Sequence, residues 1–110
     1  MVDFAAFKNG VLSALPGLAT DTLGHLPAQL KGDVAGFLEV SRSMAERWAG
    51  MVKRGEIRPD EFVQLMEDLP DLASIVAFTD AGIAQAAVQR FRDGLINLIV
   101  DTALDTLVPI

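Results

Sequence analysis

The last quarter of the chain sets the strongest constraint on its fold, because a helical stretch that starts with one apolar face becomes apolar on two. Over residues 80–93, Ile83, Ala87 and Phe91 recur at the spacing of a single helix face, while Gln85, Gln89, Arg92 and Asp93 take the side turned away. Past Gly94, at about 100° per residue, Leu95, Leu98 and Ile99 continue the first face. Ile96, Val100, Ala103 and Leu107 build a second face on the formerly polar side. Two apolar faces require two sets of neighbours. In a chain of 110 residues one set is its own core, and the other is expected to be a second copy of the chain, a partner protein or a membrane surface, the second copy being the first choice. Leu95, Ile96, Ile99, Val100, Ala103, Leu104 and Leu107 are therefore the candidate oligomer interface.

The length fits a single domain, residues 1–110, that buries about 65% of its unfolded surface. Cys is absent, which excludes disulfides, thiolate metal sites and Cys nucleophiles. A net charge of -6 repels phosphate backbones, and only Lys53, Arg54 and Arg58 among the nine basic residues lie close together, so no nucleic-acid partner is expected. Hydrophobic residues reach 51%, yet Arg90, Arg92, Asp93, Asp101 and Asp105 interrupt the longest apolar stretch short of the roughly 18 residues that a transmembrane segment needs. The opening Met1-Val2-Asp3-Phe4 lacks the basic start of a secretory signal, so the expected location is cytoplasmic.

Apolar spacings of three and four, with no hairpin signature, predict an all-α fold. The expected architecture is a compact bundle of four to five helices with a central helical hairpin and a long C-terminal helix. Asp3 is positioned to cap a first helix that buries Phe4, Phe7, Val11 and Leu15 and stops at Pro16-Gly17. Gly24 and Pro27 predict a short or broken helix between residues 18 and 30. From Asp33 a further helix carries Val34, Phe37, Leu38, Ser41, Met44, Ala45, Trp48 and Val52, and ends at Gly55. Pro59, Asp60 and Glu61 start the next, with Ile57 placed to staple onto Phe62. It uses Leu65, Met66 and Leu69 until Pro70, after which Asp71 is a cap for a turn through Leu72, Ile75 and Val76. A straight last helix over residues 80–107 would be roughly 40 Å long, against a compact diameter of about 34 Å, and would protrude unless kinked at Gly94.

Residues 44–69, MAERWAGMVKRGEIRPDEFVQLMEDL, resemble the short helical hairpin of the SHOCT family. Lys53, Gly55, Ile57, Asp60, Glu61, Phe62 and Leu65 occupy the positions of its pattern of a basic residue, Gly, Ile and an acidic-acidic-Phe run. The resemblance implies self-association, which such modules are thought to mediate.

Catalytic chemistry finds little material. His25 is the single histidine, too few for a two-His metal site, and Ser13, Ser41, Ser43 and Ser74 lie outside any nucleophile-elbow context. Asp101 and Asp105 sit one turn apart, either as a cation site or as the solvated strip of an apolar helix. Trp48, Met44, Met51 and Met66 line either a ligand cavity or the core. Arg90 and Arg92 are placed to pair with Asp93, Asp101 or Asp105 of a second copy. No catalytic residue, cofactor or metal is expected. The predicted function is that of a non-enzymatic, self-associating helical protein, a structural or interaction component of a larger assembly that includes copies of itself or another protein. The alternative is a module that contacts a membrane surface peripherally, or one that binds lipid or another apolar ligand.

Overall fold

The computed structural model describes residues 3–69 and 83–107, and all regular structure among them is helical. Five helices follow in order: α1 (Phe4–Leu23), α2 (Leu30–Val40), α3 (Arg42–Lys53), α4 (Pro59–Glu67) and α5 (Gln85–Thr106). The all-α bundle inferred from apolar spacing is the observed architecture. The expected turn through Leu72, Ile75 and Val76 lies outside the described residues.

Helix α1 starts where its cap requires, with the Asp3 carboxylate accepting the Ala6 N–H at 3.0 Å. It does not stop at Pro16-Gly17. It runs on to Leu23, because Ala19 and Leu23 extend the buried stripe of Phe7, Val11 and Leu15, and burial of that continuation outweighs the one hydrogen bond that proline removes. Pro16 itself faces solvent, so its ring displaces nothing in the core. The helix ends at Gly24, whose φ of 84° is left-handed and whose N–H donates to the Thr20 carbonyl. The broken segment expected over residues 18–30 thus divides into the end of α1, an exposed turn, and the start of α2 at Leu30.

The single helix expected from Asp33 to Gly55 is two helices. Gly32 and Asp33 lie inside α2, and the chain bends at Ser41, which is 1% exposed. Its hydroxyl donates to the Phe37 carbonyl at 2.7 Å, the carbonyl that also accepts the Ser41 N–H at 2.9 Å, so the buried hydroxyl is satisfied locally. Helix α3 then ends as predicted. The Gly55 N–H donates to the Val52 carbonyl at 3.0 Å and the Glu56 N–H to the Met51 carbonyl at 2.8 Å, the paired bonds of a left-handed glycine stop. Pro59 opens α4, and the Glu61 carboxylate accepts the Arg58 N–H at 3.1 Å. Ile57 is half-buried against the core that contains Phe62, and the Trp48 and Phe62 rings meet edge to face at 6.4 Å.

Helix α5 is continuous through Gly94 and lies at the centre of the bundle, packed chiefly on α1 and next on α3 and α4. Its 22 residues span about 33 Å, and the kink considered at Gly94 is absent. Close approach to α1 depends on small residues. A Cβ at Gly94 would stand 2.6 Å from Cδ1 of Leu18, and one at Gly10 would stand 2.9 Å from Cγ2 of Thr102. The Asp3 N–H donates to the Thr106 carbonyl at 2.9 Å, tying the start of α1 to the end of α5.

Candidate interaction surface

The second apolar stripe of α5 has its neighbours within the chain. Ile96, Val100, Ala103 and Leu107 are at most 2% exposed, and Leu95 and Ile99 on the first stripe are fully buried. Leu104 is half-buried against the same core. The contacts of Gly94 and Thr102 fix the side of α5 that meets α1. Ile96, Val100, Ala103 and Leu107 lie on the opposite side at about 100° per residue, toward α3 and α4, the other helices packed on α5. The inferred subunit seam is therefore corrected: these residues form the core of one chain. A central helix in a small bundle is sandwiched between two layers, and that demands two apolar faces just as an oligomer would.

The polar side groups reach solvent. Asp93, Asn97, Asp101 and Asp105 are exposed at four-residue intervals along α5, with Gln89 donating to the Asp93 carboxylate at 3.1 Å and Asn97 to the Asp93 carbonyl at 2.9 Å. Among the described residues no group of three or more His, Asp or Glu side chains is placed to hold a metal, and Asp101 and Asp105 belong to this solvated strip. His25 is exposed in the turn after α1. Arg90 is exposed, whereas Arg92 is half-buried, its Nε without a hydrogen-bond partner among the described residues. Met66 is in the core, and Trp48 and Met51 are half-buried.

Among the described residues the large apolar side chains left exposed are Leu26, in the turn after α1, and Val40 and Met44 at the α2–α3 joint. Val40 is 65% and Met44 36% exposed, one on each side of the Ser41 bend, and four residues apart in sequence. Met44 was assigned by spacing to the buried stripe. Ser41 and Ala45 of that stripe are buried, and Met44 is exposed. Val40 carried a legible signal, since it lies off the Val34, Phe37, Leu38 and Ala45 stripe, where a solvated helix has no need of an apolar side chain.

Charged groups frame this pair. Lys8 on α1 donates to Glu39 at 2.8 Å, and Arg42 pairs with Glu46 at 3.1 Å while its guanidinium carbon stands 4.4 Å from the centre of the Phe4 ring. The Lys8 hydrogen bond, and then its charge, hold the Glu39 carboxyl below its ordinary value of 4.5. Among the described residues no helix is long and apolar enough to cross a membrane. Comparison with protein-family models, with curated proteins and with solved structures gave no match for this chain.

Proposed function

We propose that this chain is a non-enzymatic helical protein that works by association, binding further copies of itself as a structural or interaction component of a larger assembly. The observation that supports this most is the exposed pair Val40 and Met44 at the junction of α2 and α3, framed by charges of both signs. An apolar centre with a polar rim is the anatomy of a protein interface, and charges of both signs suit a surface that meets itself. The resemblance of residues 44–69 to the SHOCT hairpin points the same way. Of the two residues, Met44 opens that segment and Val40 precedes it.

Light scattering after size exclusion, at two concentrations, tests the proposal. The native chain is expected at a multiple of 11.8 kDa. A Val40→Lys/Met44→Lys variant is expected as a monomer with unchanged helical content, because neither side chain is in the core. A monomeric native chain at both concentrations, or a variant with unaltered mass, would overturn the proposal.

A further inference from the structure

We draw no further inference here: the strongest candidate, the exposed Val40–Met44 patch at the joint between α2 and α3, is the surface on which the proposed association already rests, and nothing in the structure shows what covers it.

Discussion

Gly94 and Gly17 occupy helix interiors, yet they answer to different demands. Nothing lies within 4 Å of a Cβ added at Gly17, whereas at Gly94 the added atom meets Leu18. Gly17→Ala is therefore expected to stabilise the protein by about 0.5–1 kcal/mol through helix propensity. Gly94→Ala is expected to destabilise it by about 1 kcal/mol through overpacking. Urea unfolding reads both, and combining Gly94→Ala with Leu18→Ala should abolish the steric part of the cost. The Lys8–Glu39 pair makes a second residue-scale prediction. A carboxyl whose pKa is depressed by folding contributes stability that is complete above its unfolded value, here 4.5, and is lost as pH falls through the lower folded value. The stability difference between the native chain and Lys8→Met should accordingly be present above 4.5 and vanish well below it. A difference that persists in strong acid would remove the ion pair as its cause. Such features differ in how far the sequence discloses them: Asp3 and Gly55 were legible because caps and left-handed stops depend on local chemistry. Gly10 reads as a cost until Thr102, distant in sequence, is found against it.

Among the helices, the errors of sequence reading have one physical source, the weight of tertiary burial against local signals. Pro16 is a strong local stop, and Ala19 and Leu23 carry the helix past it. Gly32-Asp33 is a strong local start, and α2 begins before it at Leu30, which is 1% exposed. The break at Ser41 went unread because a serine on an apolar stripe fits the helical period, and no Gly or Pro marks the junction of α2 and α3. For α5 the pattern was legible and its partner was not. Periodicity shows that two faces are apolar, and it does not show whether α3 and α4 or another subunit covers the second. Ile96 decides the matter by experiment. As a core residue, its change to alanine should cost about 2–5 kcal/mol, lowering the urea midpoint while leaving the mass of the folded species unaltered. A drop in mass with the midpoint intact would restore the seam.

At the scale of the whole molecule, a net charge of -6 opposes any meeting of like copies, and an apolar contact must work against that repulsion. Raising ionic strength from about 0.01 M to about 1 M shortens the screening length from about 30 Å to about 3 Å. Association through Val40 and Met44 should then strengthen with salt, seen as a rising mass at fixed concentration. Association through Arg90, Arg92 and the acids of α5 would weaken instead, so the sign of the salt effect separates the two. The order of assembly follows from the packing of α1 on α5, the described helix farthest from it in sequence, with Asp3 bonded to Thr106. Contacts at such separation close a loop that spans nearly all of the described residues, so they are slow to form. During synthesis from the N-terminus, Phe7, Val11, Leu15, Ala19 and Leu23 wait without their main cover until α5 has been made. Of the described helices, the one made last is the one around which the others pack, and a nascent chain halted before it carries an open apolar groove in place of a smaller finished protein.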